Sequence, residues 1–361
     1  MWPYWILFLI PTFWAVSHLK PIPSIPRRVR LTHWPNLWWA IYVLLVLMIG
    51  LRHEVGGDWI AYIELLDSYT DNTTADKFRF QDPAFVLFSK LATSTGTGVY
   101  LLNLLSAIFF SWGLVVFCRA QPRPWLTLVV AVPYLITVVA MGYTRQGVAI
   151  GIAMVAMVAL GQGHSLRFFL WIFFAALFHK SAIILIPMAI LASTKRRMFT
   201  LLWVALAGLV LFAVMLQEAT SVLIDGYIQA GYQSSGAAIR IAMNAVPAAL
   251  LLIFRKRFEL SDSQRSFWTW MALGALLLVA LLIVSPSSTA VDRVALYWIP
   301  LQLFVFSRLP NALGKRDGKN AGWVYAVVGY SAAVHFVWLV YADTAFAWLP
   351  YKFYPWVWLW Q

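Results

Sequence analysis

Residues 125–161 read WLTLVVAVPYLITVVAMGYTRQGVAIGIAMVAMVALG. Two apolar runs, 125–142 and 144–161, meet at a very short turn, and Arg145 is the only charge in the stretch. Each run is long enough to cross a bilayer, for which about 18 apolar residues suffice. The runs are continuous rather than alternating, the pattern of spanning helices and not of a β-barrel.

The same pattern recurs along the chain. Further runs lie near 1–18, 37–51, 99–118, 199–217, 238–254, 267–285, 290–307 and 321–341. Of the 361 residues, 62% are hydrophobic and 11% charged, where soluble domains carry about 25% charged. The expected fold is all-α: a polytopic integral membrane helical bundle of about ten full spans, forming a single transmembrane domain over residues 1–361. The stretch 168–193 has basic residues on both flanks, Arg167 before it and Lys195, Arg196 and Arg197 after it. It is predicted to form a short helical hairpin turning near Phe178-His179-Lys180-Ser181; a single long tilted helix is the alternative. The first segment, MWPYWILFLIPTFWAVSHLK, has no basic n-region and no small-residue cleavage site, so a retained helix is expected.

The net charge is +13. Its basic residues fall in short clusters between apolar runs, which orients membrane helices and argues against a nucleic-acid partner. With the N-terminus outside, the clusters at 20–30, 119–123, 167, 195–197, 255–265 and 308–319 all fall inside and hold two thirds of the 27 basic residues. Two outer loops are then expected, 52–98 and 217–237. In the first, Ala84, Phe85, Phe88 and Leu91 share one helical face with Ser89 and Lys90 opposite, an amphipathic helix suited to the membrane surface. The C-terminal segment 342–361, ending in WLPYKFYPWVWLWQ, reads as an aromatic interfacial belt. Cys118 has no partner for a disulfide, and no Cys/His zinc spacing is present.

The remaining ionisable groups gather at one depth, near the outer surface. Arg52, Glu54 and Asp58 follow the second span, Arg145 opens the fifth, His179 and Lys180 sit at the hairpin tip, and Arg240, Asp292 and Arg293 open later spans. Each has a structural alternative. Arg52 can snorkel, Asp292 and Arg293 can pair, His179 can bond a carbonyl, and Asp58 can cap a helix after a Gly56-Gly57 turn. Arg145 is different. With Thr144 as N-cap it lies in a first helical turn, where a cation opposes the helix dipole and a bound anion reverses that sign. Arg240 and Arg293 share that placement, so the set points to an anion at the membrane boundary, such as a lipid-linked diphosphate. His335 is the exception, lying inside the last span. No P-loop, Rossmann glycine pattern, DxD pair or HExxH occurs, so no nucleotide cofactor and no metal are expected.

Three motifs then fall in order. Arg52-x3-Gly56-x-Asp58-x3-Tyr62 follows an early span, Arg145-Gln146-x-x-Ala149 opens a mid-chain helix, and Phe178-His179-x-Ser181-Ala182 precedes Pro187. Together they resemble the EpsG-type, Wzy-like polysaccharide polymerases. Asp82-Pro83-x-Phe85 resembles that family's acidic-Pro-x-Phe step, with Asp where Glu is commoner, and Gly142 stands where the family often has Asn. The motifs span roughly residues 50–190; beyond them the match is in hydropathy and in Arg293-x3-Tyr297.

The resemblance implies a glycosyltransferase of the bacterial cytoplasmic (inner) membrane with its site on the periplasmic or outer face. It joins undecaprenyl-diphosphate-linked oligosaccharide repeats, with membrane lipids and a chain-length regulator as candidate partners and no nucleic acid. In that chemistry Arg52, Arg145, Arg293 and Arg240 bind the diphosphate. His179 is the candidate base, with Asp58 as competitor. Glu54, Gln146, Asp292 and Tyr62 support them. The alternatives are an O-antigen ligase-like transferase, whose late outer loop is usually larger, and a transporter or flippase of lipid-linked sugars, which would place charges at mid-membrane.

Overall fold

The computed structural model describes residues 1–21, 34–69, 82–192, 236–285, 287–315 and 318–359. The predicted span 199–217, all but the last two residues of the expected loop 217–237, the middle of the first outer loop and the clusters 27–30 and 195–197 lie outside them. The chain is all-helical, and no β-strand occurs among the described residues.

In chain order the helices are α1 (Trp2–Ser17), α2 (Asn36–Gly50), α3 (Trp59–Asp67), α4 (Pro83–Ser94) and α5 (Val99–Arg119). Then come α6 (Pro124–Ala131, continued as a π-helix over Val132–Ala140), α7 (Thr144–Gly161), α8 (Ser165–Phe178) and α9 (Leu185–Ala192). The last are α10 (Ala237–Ile253), α11 (Asp262–Val284), α12 (Ser288–Ala295), α13 (Ile299–Leu313), α14 (Ala321–Tyr341) and α15 (Tyr354–Leu359). Among the described residues, five helical segments are long and apolar enough to cross a bilayer: α5, α7, α11, α14, and α12 continued through a 3-10 turn into α13 as Ser288–Leu313. Six shorter apolar helices accompany them among those residues. The chain is a multi-pass membrane protein.

Helix starts follow local chemistry. Pro83 and Pro124 sit at first positions, where the missing N–H is no loss. Ser261 and Gln264 close a capping box at α11. The wide-turned end of α6 shows in Thr137 Oγ1, which donates to Val132 O five residues back at 2.8 Å. Such π segments frequently mark functional sites.

The opening hairpin is the core. Nearly every residue of α6 and α7 is buried, whereas α11 and α14 expose much of their length. α5 and α7 touch backbone to backbone: a Cβ on Gly113 would come within 2.0 Å of Gly151 O. Such small-residue seams let membrane helices approach closely where no hydrophobic gain separates protein from lipid.

The short α6–α7 turn, the end of α2 and the start of α5 define one end of the bundle, the site end. At the far end Arg123 gathers three segments, donating to Asn311 Oδ1 (3.0 and 2.8 Å), to Gly318 O (3.0 Å) and to Leu19 O. His335 is fully buried mid-helix, packed on Trp5 and Phe8, and takes no part in either end.

The stretch 168–193 breaks near Phe178-His179-Lys180-Ser181, where the turn was expected, and is not the single long helix: α8 stops at Phe178, His179 is extended, and a 3-10 turn (Lys180–Ile184) leads into α9. Two other expectations change in detail. α4 buries Phe85 as expected but also Ser89, whose hydroxyl satisfies itself on Phe85 O at 2.9 Å, while Leu91 is exposed. The face turned inward is set by packing on α3, α5 and α8 rather than by hydropathy alone. The C-terminal segment is not purely a surface belt. Residues 347–354 are laid along the 51–56 loop through Gly56 N–H to Ala347 O (2.8 Å), His53 N–H to Lys352 O (3.0 Å) and Tyr354 N–H to Leu51 O (2.8 Å). Trp348 is buried there.

Candidate functional site

The loop after α2 turns sharply at Gly56, with φ +109 and a Cβ position only 2.0 Å from Met141 O, so only glycine fits. That turn presents Arg52 and Asp58 to the α6–α7 junction by different routes. Arg52 is 1% exposed. Its Nε donates to Val55 O at 3.0 Å, Nη1 to Ile49 O, and Nη2 to Asn103 Oδ1 (2.8 Å) and Thr144 Oγ1 (2.9 Å). Burial lowers its pKa to about 10, still cationic at neutral pH. Its fork is spent on protein acceptors from α2, α5 and α7. Thr144 is accordingly not a cap: the cap position is Tyr143, and the Thr144 hydroxyl accepts from Arg52.

Asp58 also makes no side-chain cap of α3. Its carboxylate accepts from Tyr62 Oη at 3.4 Å, and Tyr62 Oη accepts from the backbone N–H of Arg145 at 3.4 Å. Burial raises the Asp58 carboxyl above its ordinary value, and Arg293, Arg145 and Arg52 pull the other way. Burial likewise pushes Tyr62 up to about 12, so it stays a neutral donor.

A second carboxylate stands on the other side of Arg145. Asp82 is 6% exposed. Its Oδ1 accepts from Lys180 N–H at 3.1 Å, and its Oδ2 lies 3.6 Å from Arg145 Nη1 and 3.5 Å from His179 Nδ1. Phe85, three residues on, shares the helical face of Asp82, and its ring lies 5.7 Å from Arg145 Cζ. The side chains of Arg145 and His179 are 42% and 30% exposed, so cation and imidazole stay open while the carboxylate beneath them is closed off.

α12 completes the group. Arg293 lies 4.1 Å over the Tyr143 ring, a cation–π contact, and its guanidinium makes no hydrogen bond or ion pair among the described residues. Gln146 Nε2 donates to Arg293 O at 2.6 Å, and Gln146 Oε1 is buried without a partner among the described residues. One turn on, Tyr297 Oη accepts from Ser181 Oγ at 3.3 Å, tying α12 to the turn after His179.

The remaining expected residues are placed differently. Arg240 is forked onto Asp292, with Nε to Oδ1 at 2.7 Å and Nη2 to Oδ2 at 2.8 Å, bolting α10 to α12. Glu54 is exposed and pairs with Lys352 and with His53 (3.8 Å), holding the C-terminal segment. It lies outside the Arg145 cluster. The structure thus brings Asp58, Tyr62, Arg145, His179 and Arg293 together with Asp82 and Tyr143. Asp82 was visible only as part of a motif and Tyr143 not at all, because their roles rest on contacts distant in sequence. No group of three or more His, Cys, Asp or Glu with metal-binding geometry occurs among the described residues.

The family model described as the EpsG family matches residues 36–353 of the chain. No curated protein and no solved structure matches it.

Proposed function

The chain belongs to the EpsG family, and from that premise we propose that it is a polymerase of O-antigen or exopolysaccharide type. In this reading about ten spans and the broken stretch 168–193 cross or enter the bacterial cytoplasmic membrane, the basic far end faces the cytoplasm, and the site end faces outward. There the protein joins undecaprenyl-diphosphate-linked oligosaccharide repeats. The observation that carries this is the meeting of Arg145 and His179 on one oxygen of buried Asp82, with Arg293 stacked on Tyr143 two residues before Arg145.

The bond from the anomeric carbon of the growing chain to its lipid diphosphate breaks, and the electron pair leaves with the diphosphate. A hydroxyl of the incoming lipid-linked repeat forms the new glycosidic bond and gives its proton to His179. Arg145 and Arg293 neutralise the charge growing on the phosphate oxygen, since a guanidinium fork matches phosphate and stays charged. Asp58 serves as their counter-ion through Tyr62. Arg52 and Arg240 hold the helices that carry the site, each with its fork on protein acceptors. Gln146 fixes the backbone of Arg293.

The test is extension of a synthetic undecaprenyl-diphosphate-linked repeat by the purified protein in nanodiscs, read as a ladder of products. Arg145→Ala, Arg293→Ala and His179→Ala should each lose about 10²-fold or more in rate at normal protein level. Full-length ladders from both Arg145→Ala and His179→Ala would overturn the assignment. So would a wild-type protein that moves the lipid-linked sugar between leaflets without forming a glycosidic bond.

A further inference from the structure

Asp82 has no role in the chemistry above, yet it is the most enclosed charge at the site end that faces two open functional groups. Its carboxylate is fixed from behind by the Lys180 N–H on Oδ1 (3.1 Å). The other oxygen is thereby aimed at His179 Nδ1 (3.5 Å) and Arg145 Nη1 (3.6 Å) together. Three elements meet at this one group: α4 supplies it, α7 supplies Arg145, and the break after α8 supplies His179.

We infer that Asp82 is a positioning residue that selects the reactive nitrogen of His179 and couples it to Arg145. Accepting from Nδ1–H, it leaves Nε2 unprotonated and turned away as the nitrogen that receives a hydroxyl proton. A histidine bound through one nitrogen presents the other in a defined tautomer. The same oxygen holds Arg145 next to that imidazole, so the proton acceptor and the anion-binding cation keep a fixed separation. When His179 takes the proton, the imidazolium forms beside a carboxylate that is already there, with no rearrangement of solvent. The titratable groups around His179 among the described residues are Asp82 from α4, Arg145 from α7, its neighbour Lys180, and Tyr297 of the 3-10 turn after α12, reached through Ser181.

This rests on the polymerase reading only for its activity readout, so two measurements separate the two. The first is ¹⁵N NMR of histidine-labelled protein in nanodiscs, with the His179 signal identified among six histidines by its loss in His179→Gln. Wild type should show Nδ1 protonated, and Asp82→Asn should shift His179 toward the Nε2-protonated form. The second is the steady-state kinetics of repeat extension. Asp82→Asn should lower kcat by about 10–100-fold with KM within about threefold. Asp82→Glu, which keeps the charge, should recover to within about tenfold of wild type. A tautomer and kcat unchanged in Asp82→Asn, in protein that folds to normal level, would overturn the inference even if His179→Ala is dead. A tautomer that does shift, in a protein that makes no polymer, supports the inference and removes the polymerase reading instead.

Discussion

The indole of Trp348 stands where a side chain on residue 142 would have to go: a Cβ added to Gly142 would lie 2.1 Å from Trp348 Cζ2. The ring is held by its own Nε1–H, which donates to Thr137 O in the π-helical part of α6 at 2.8 Å, and by Trp338 edge-on at 5.0 Å. Its backbone carbonyl accepts from Tyr4 Oη at 2.7 Å. The C-terminal segment is therefore part of the wall of the α6–α7 junction. Replacing Gly142 by Asn should lower thermal stability in detergent and reduce the folded fraction on size exclusion. Trp348→Ala should cost about 3–5 kcal/mol through the cavity it leaves. Combining the two should recover part of the loss, because the amide then occupies vacated space; a double variant no better than the sum of the singles would show that the two residues do not compete.

Arg52 and Arg293 have the same side chain and opposite expected phenotypes. Arg52→Ala leaves Asn103, Thr144 and two carbonyls without their donor in a closed site, at about 1–3 kcal/mol for each group left unsatisfied. It should show as lost protein in the membrane. Arg52→Lys should fail similarly, since one ammonium cannot reach four acceptors in a fork. Arg293→Ala should leave stability within about 0.5 kcal/mol and instead cut extension by about 10²–10³-fold. Thermal unfolding and product ladders on the same preparations separate the two effects.

The Arg240–Asp292 fork is a buried pair, with side chains 17% and 8% exposed. Removing either partner breaks two charge-assisted hydrogen bonds between α10 and α12 and should cost about 3–5 kcal/mol. Replacing both, as Arg240→Met with Asp292→Leu, should return most of that stability. A double variant as unstable as either single would mean that the fork does more than join α10 to α12.

Asp58 should give stability a pH dependence whose sign follows from its burial. Burial holds its carboxyl above the ordinary value, against about 3.9 in an unfolded chain. The folded state therefore binds a proton more readily than the unfolded one, so the stabilising contribution is present at low pH and lost as pH rises through the raised folded value. As pH falls from neutral toward about 3.9, wild type should gain stability relative to Asp58→Asn. A difference in Tm between the two proteins that stays flat across that range would contradict this.

The helices were legible because what specifies them is local. A continuous apolar run must satisfy its own backbone groups in lipid, so 144–161 has to be a helix wherever it packs. The break at His179 shows in a polar group between apolar stretches, and the gathering of charges at one end follows from span order. The motifs identified the family for the same reason, because they are short patterns read along the chain.

Which charge does what was decided only by the folded chain. Arg52, Arg145, Arg240 and Arg293 look alike in sequence, each at the boundary of an apolar run. They differ because Asn103 and Thr144 reach Arg52 from 51 and 92 residues away, and Asp292 reaches Arg240 from 52. The Arg293 guanidinium lies over the face of Tyr143 and makes no hydrogen bond among the described residues. Hydrogen-bond satisfaction is a property of three-dimensional neighbours, and hydropathy, which fixes the helices, carries no record of them.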